Sequence, residues 1–115
     1  MKIKTLLLQD HPACTELINR SIKAPEYDVF RLPPSSYDEL SMFIFTYQPD
    51  LIICEESYQS MILNTEKKIK KTIPIVFIGT SKNLSGQLKI NNRSTAYLTY
   101  PFKEEVLKAM INLLI

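Results

Sequence analysis

Four consecutive apolar residues, Leu51-Ile52-Ile53-Cys54, follow the turn-forming pair Pro49-Asp50 and run directly into two carboxylates, Glu55 and Glu56. No polar residue alternates through the run, so it reads as a strand buried on both faces. In an open α/β sheet, ligands and chemistry gather just beyond the C-terminal ends of such strands. Glu55 therefore marks the place where the activity of such a fold is to be sought.

The rest of the chain alternates around this strand. Ile3 to Leu8 is a first strand that enters a polar corner, Gln9-Asp10-His11-Pro12. Pro12 suits the first turn of a helix, and Asp10 is placed to cap it. Cys14, Leu17, Ile18 and Ile22 continue as a helical stripe. Tyr27 to Leu32 is a second, weaker strand closed by Pro33-Pro34. Ser36 and Glu39 have capping-box spacing. Leu40, Phe43, Ile44 and Tyr47 then fall at i, i+3, i+4 and i+7 of an amphipathic helix. After the Leu51 strand, Tyr58 to about Ile69 reads as a helix with Met61, Ile62 and Ile69 inward. Ile75 to Ile78 is a fourth strand, apolar throughout and ended by Gly79. A short helix over Leu84 to Ile90, of poor periodicity, a fifth strand over Tyr97 to Thr99 and a last helix over Lys103 to Ile115 complete the chain. Five strands alternating with five helices imply a parallel sheet covered on both faces.

At 115 residues the chain is one domain, residues 1–115, and 45% apolar and 23% charged content is that of an ordinary globular fold. A net charge of +2 gives no broad nucleic-acid footprint. Lys67, Lys68, Lys70 and Lys71 fit a helix C-terminus, where cations offset the macrodipole; a phosphate-binding patch is the alternative. Cys14 and Cys54, without a Cys or His neighbour at ligand spacing, read as free thiols in a reducing cytosol. No apolar stretch is long enough to span a membrane, and the start is too short for a signal peptide. With two glycines in the whole chain, a glycine-rich phosphate loop is excluded.

Four motifs in order carry a resemblance: Leu-Leu-Gln-Asp-His-Pro, Gln-Pro-Asp-Leu-Ile-Ile-Cys-Glu, Ile-Pro-Ile-Val-Phe-Ile-Gly-Thr and Tyr-Leu-Thr-Tyr-Pro-Phe. Over its whole length the chain resembles the receiver domain of bacterial response regulators, the CheY-like family. The resemblance implies a flavodoxin-like, doubly wound five-stranded parallel sheet of order 2-1-3-4-5 in three α/β/α layers. It also implies a cis bond between Tyr100 and Pro101, at the place of the family's lysine-proline pair.

The same comparison implies a degenerate phosphorylation pocket. The acidic pair that holds Mg²⁺ in the family falls on Gln9 and Asp10, and the phosphoacceptor aspartate falls on Glu55. The hydroxyl that reports phosphorylation falls on Gly79, with Thr80 one place late, and the lysine falls on Tyr100. Mg²⁺ wants near-octahedral oxygen ligation, and Gln9 removes one charge. Glu55 is a methylene longer than aspartate, and misplacing a nucleophile by an ångström costs about a hundredfold. Without the lysine, no cation neutralises an acyl phosphate. Either Glu55 imitates a permanently phosphorylated aspartate, or it is tolerated at a site without chemical demand. One charge instead of nearly two, and the missing hydroxyl and lysine, favour the second. A helix cap suits Asp10 better than a metal ligand, and His11 reads as a solvated loop residue.

Tyr97 falls on the aromatic position that swings between rotamers in signalling receivers; packing of a strand-edge aromatic on the fourth helix is the other reading. In the last helix, Val106, Met110 and Leu113 form one stripe, and Leu107, Ile111, Leu114 and Ile115 widen it. A helix apolar nearly all round is buried or an interface. The ending on Leu-Leu-Ile suggests a segment excised from a longer protein. The expectation is a pseudo-receiver: a cytoplasmic, non-enzymatic protein-interaction or dimerisation module in bacterial signal transduction, without metal or cofactor. Its homodimer would form through the fourth helix, fifth strand and last helix, with Tyr97, Leu107 and Ile111 at the contact. No nucleic-acid or membrane partner is expected. The alternatives are an atypical phosphoacceptor in a phosphorelay and a small-molecule binder on the same fold, the latter disfavoured by the acidic, glycine-free corner after the first strand.

Overall fold

The computed structural model describes residues 2–9, 11–23, 25–32, 38–69, 72–79, 89–92 and 95–115. The expected strands are all present: β1 (Ile3–Leu8), β2 (Tyr27–Arg31), β3 (Leu51–Glu55), β4 (Ile75–Gly79) and β6 (Thr95–Thr99). They pair in parallel in the order β2-β1-β3-β4-β6, the 2-1-3-4-5 arrangement of the five expected strands. Ile52, Ile53, Val76 and Phe77 are wholly buried. The two uninterrupted apolar runs form the two central strands, where both faces of a strand leave water, and Leu6, Leu7 and Leu8 of the neighbouring β1 are wholly buried as well.

A sixth strand, β5 (Lys89–Asn92), joins the sheet outside β6 and antiparallel to it. This revises the helix expected over Leu84 to Ile90. Residues 84–88 lie outside the described residues, and Lys89 and Ile90 pair with Tyr97 and Ala96. A ladder on a sheet edge is made by backbone groups, so the polar sequence Lys-Ile-Asn-Asn is compatible with it.

The helices lie on the two faces as the pattern requires. α1 (Pro12–Ser21) and α4 (Glu104–Leu114) cover one side, where Leu7, Ile18, Ile53, Val76, Leu107 and Ile111 share a core. α2 (Leu40–Tyr47) and α3 (Gln59–Ile69), the latter entered through a 3-10 turn at Glu56–Tyr58, cover the other with Leu6, Ile44, Ile52, Ile62 and Phe77. Two caps differ from expectation. The cap of α1 is His11, whose Nδ1 accepts from the Cys14 N–H at 3.2 Å; Asp10 lies outside the described residues. Ser36 is also outside them, and α2 begins only at Leu40, with Glu39 making no side-chain cap. The helix ends at Gln48 in the left-handed region, φ 53°, with its N–H returned to Ile44 O at 2.9 Å.

α4 corrects the sequence reading most sharply. Leu107, Met110 and Ile111 are fully buried, while Val106 is only partly so and Leu113 and Ile115 are exposed. Leu107 and Ile111 are core residues and cannot form the expected dimer contact. The side of the helix that docks is the Leu107-Met110-Ile111-Leu114 stripe, an equally good i, i+3, i+4, i+7 set.

Candidate functional site

The parallel register gathers the candidate residues at one rim. Leu8, Cys54, Phe77 and Tyr97 form one row across β1, β3, β4 and β6, followed by Glu55, Ile78 and Leu98. Gly79 pairs with Thr99 at the end of the next step, and Tyr100 follows immediately. Of the residues singled out from the sequence, the rim brings Gln9, Glu55, Gly79 and Tyr100 to the strand ends; Asp10 and Thr80 lie outside the described residues.

Gln9 is buried, and its neutral side chain shapes the corner after β1. Its Oε1 accepts from the His11 N–H at 3.1 Å, and its backbone oxygen accepts from Arg31 Nε at 3.2 Å. The amide oxygen is thereby taken up in a turn. His11 does more than the solvated loop residue expected of it: besides capping α1, its ring lies 5.4 Å from that of Tyr100. Tyr100 is half-buried, donates its N–H to Gly79 O at 2.8 Å and meets Phe102 edge-on at 6.2 Å. The Tyr100-Pro101 bond is cis, as expected. Where the resemblance calls for a lysine ammonium, the rim carries an aromatic ring packed among aromatic neighbours.

Glu55 is partly buried at the end of β3. Its charge reaches two buried thiols. Burial first, and the Glu55 carboxylate second, push Cys14 up from 9.0 to about 12. Cys54 is pushed up by the same two causes. Both cysteines are free, and both stay protonated at neutral pH, which makes them poor nucleophiles and poor metal ligands. No group of three or more His, Cys, Asp or Glu side chains that could hold a metal ion occurs among the described residues. With Gln9 neutral and its oxygen already accepting a backbone N–H, the described donors do not fit a Mg²⁺ ion, which wants near-octahedral oxygen ligation.

Tyr97 is half-buried and points to the α3 side of the sheet. Its ring stacks on Phe77, centroids 5.3 Å apart and 25° between planes, and its hydroxyl accepts from the Gln59 side-chain amide. The expected packing on the fourth helix falls largely on residues 84–88, outside the described residues; among the described ones, Phe77 and the first residue of α3 meet the Tyr97 side chain. Gln59 was not visible as a site residue in the sequence, because nothing in its neighbourhood signals a partner 38 residues away. Of the lysine cluster, Lys67 and Lys68 are exposed in the last turn of α3, the position cations favour; Lys70 and Lys71 lie outside the described residues.

No protein-family model matches the chain, and no curated protein matches it in sequence. Solved structures do. A response regulator receiver domain protein from Bacillus halodurans matches with a TM-score of 0.74 at 19% identity, over 100% of this chain and 98% of that one. The receiver domain of a Francisella response regulator matches with a TM-score of 0.68 at 19% identity, over 96% and 94% of the two chains. The pseudo-receiver domain of the CikA protein matches with a TM-score of 0.57 at 18% identity, over 96% and 94%. The chain has the flavodoxin-like, CheY-like receiver fold. No helix among the described residues is long and apolar enough to cross a membrane.

Proposed function

We propose that this domain is a pseudo-receiver: a signal-transduction module of the cytoplasm that works by binding protein partners, is not an enzyme and is not phosphorylated. The observation that carries the reading is Tyr100. At the rim position where the resemblance puts a lysine, a half-buried ring stands against His11 and Phe102. An acyl phosphate needs a cation there as its charge develops, and a phenol ring supplies none. Gly79 offers no hydroxyl, and Gln9 has lost the carboxylate charge that would attract a metal. Glu55 is best read as a tolerated replacement, because position 79 carries no hydroxyl and position 100 no cation to respond to a phosphoryl imitation. Intact mass after incubation with acetyl phosphate and Mg²⁺ tests the reading. The unchanged mass is expected, together with an unchanged melting temperature on adding Mg²⁺ and beryllofluoride. Gain of one phosphoryl group, or a stabilisation of several degrees, would instead make the chain an atypical phosphoacceptor.

A further inference from the structure

One side of α1 and the end of β2 form a cleft of about 380 Å³, lined by Pro12, Thr15, Glu16, Asn19, Arg20 and Arg31. That volume suits a small ligand. The five helical residues fall at i, i+3, i+4, i+7 and i+8, so they share one face of α1. Arg31 is paired with Leu7 of β1 and stands on the α1 side of the sheet, as Tyr27 and Val29 do. Two guanidinium groups from different elements thus share one cleft with the Glu16 carboxylate and the Asn19 amide.

The charges are ordered along the cleft. Arg31 Nε donates to Gln9 O at 3.2 Å, and Thr15 Oγ1 donates to the same oxygen at 3.5 Å. The Arg31 guanidinium is thereby held beside the N-terminal half of α1, with its two Nη groups left for a ligand. Arg20 sits in the last turn of α1, about 7.5 Å beyond Thr15 along the axis at 1.5 Å per residue. A helical side chain leans toward the N-terminus, which brings Arg20 back over the cleft. Glu16 and Asn19 lie between, so the pattern is positive, negative, positive. Neighbouring charges do not alter it. Exposed Lys23 and Glu26 lie at the opposite end of β2 from Arg31. Asp28 alternates to the other face of the sheet, where Phe30 meets Phe43, and Asp38 and Glu39 precede α2, which covers that face. Glu55 acts on Cys14, on the buried side of α1. Residues 33–37 carry no charged residue, and Asp10 lies outside the described residues.

We infer that this cleft binds a free acidic α-amino acid, aspartate or glutamate. Such a molecule carries the complementary pattern, two carboxylates with an ammonium group on the chain between them. One carboxylate meets the Arg31 fork and the other Arg20, each in the planar geometry that guanidinium and carboxylate share. The ammonium group meets Glu16, and the Asn19 amide is within the same cleft as a further polar partner. A ligand with anionic charge alone, such as glutarate or inorganic phosphate, would set its charge against Glu16. A neutral amino acid would leave one guanidinium unmet. An amino acid also needs no glycine-rich phosphate loop, which this chain lacks.

The inference stands apart from the pseudo-receiver reading, because none of the residues lining the cleft is a rim position where phosphoryl chemistry would occur. Titration of the isotope-labelled full chain with L-glutamate, L-aspartate, glutarate and inorganic phosphate, followed by NMR, tests it. Glutamate or aspartate is expected to shift the backbone amides of Glu16, Asn19, Arg20 and Arg31 saturably, with a dissociation constant of about 1 mM or tighter; the tighter binder names the ligand. Glutarate, which lacks the ammonium group, should bind at least about tenfold more weakly than glutamate, and Glu16→Gln should erase that difference. Arg20→Gln and Arg31→Gln should each weaken the amino acid about tenfold. Arg31→Gln also removes the bond to Gln9, so exposed Arg20→Gln, expected to leave the rest of the amide spectrum unchanged, is the deciding variant. The absence of a saturable shift with either amino acid overturns the inference. So does glutarate or phosphate binding as tightly as glutamate, a preference for glutamate that survives Glu16→Gln, or an affinity that Arg20→Gln leaves unchanged.

Discussion

Raising the pH from about 8 to about 10 is expected to weaken the fold by ~2.7 kcal/mol through the two buried thiols alone. Cys14 ionises near 9.0 in an unfolded chain and only at about 12 in the folded domain. Between those values the folded state keeps a proton that the unfolded state has released. The stabilisation is therefore complete below pH 9 and lost as the pH rises toward the folded value, at about 1.4 kcal/mol per unit. Cys54 is raised for the same reasons and adds a similar amount. Tyr27 and Tyr47 act in the same direction from a starting value of 10.0, through burial first and then through Glu26 for Tyr27 and Asp28 and Asp50 for Tyr47. A total of ~2.7 kcal/mol is a large share of the roughly 5–15 kcal/mol that holds a typical domain folded. Urea titrations at several pH values measure it. Cys14→Ala has its own packing cost, but that cost does not depend on pH, so the difference in slope isolates the thiol. The variant should lose about half of the thiol-dependent fall. Glu55→Gln should leave this fall nearly unchanged, because burial, the first cause of both shifts, still keeps the folded thiols protonated over that range. Parallel curves for wild type and Cys14→Ala would refute the reasoning and mean that the thiol is solvated in the folded state.

Three further outcomes test the packing. Gln48→Gly should stabilise the domain by roughly 0.5–1 kcal/mol in urea titration, since Gln48 holds φ 53° and glycine removes the side-chain penalty of that region while adding some unfolded-state entropy; a loss of stability would mean that its side chain is needed. Gln59→Ala should cost roughly 0.5–1.5 kcal/mol by removing the amide that donates to Tyr97, with a change in the Tyr97 ring resonances by NMR; unchanged resonances would show that stacking on Phe77 alone fixes the ring. Leu107→Glu should destabilise by more than about 3 kcal/mol, because it puts a carboxylate into a fully closed core position, whereas Leu113→Glu on the exposed side should stay within about 0.5 kcal/mol; circular dichroism during thermal melting separates the two.

What could be read from the sequence follows from where each signal is written. β3 and β4 were legible because burial on both faces leaves a continuous apolar run, and their C-terminal ends located the rim. α4 was ambiguous because two different helical stripes were available in the same residues. Val106, Met110 and Leu113 satisfy helical spacing as well as Leu107, Met110 and Ile111 do, and only docking against the sheet selects the second set. β5 was illegible because its place depends on backbone pairing to Tyr97 and Ala96, while its polar side chains carry no strand period. The links from Glu55 to Cys14 and from Gln59 to Tyr97 join distant parts of the chain that only the parallel register brings together.

On the proposed pseudo-receiver reading, the rim keeps the shape of a receiver pocket without its charges. Tyr100 holds the β4 end through a backbone N–H to Gly79, a bond available to any residue but proline at that position. Its ring then gains contacts with His11 and Phe102 that a lysine ammonium would leave to water. Gln9 keeps the corner after β1 through its amide oxygen, as an aspartate would through a carboxylate. Both residues make a structural contact and neither carries a charge at the rim. Glu55 is the exception, and its field already helps to keep two thiols protonated. A phosphoryl group, with nearly two negative charges, would add to the potential that those thiols sense. On the proposed pseudo-receiver reading, phosphorylation would call for a cation at position 100 before it called for an aspartate at position 55.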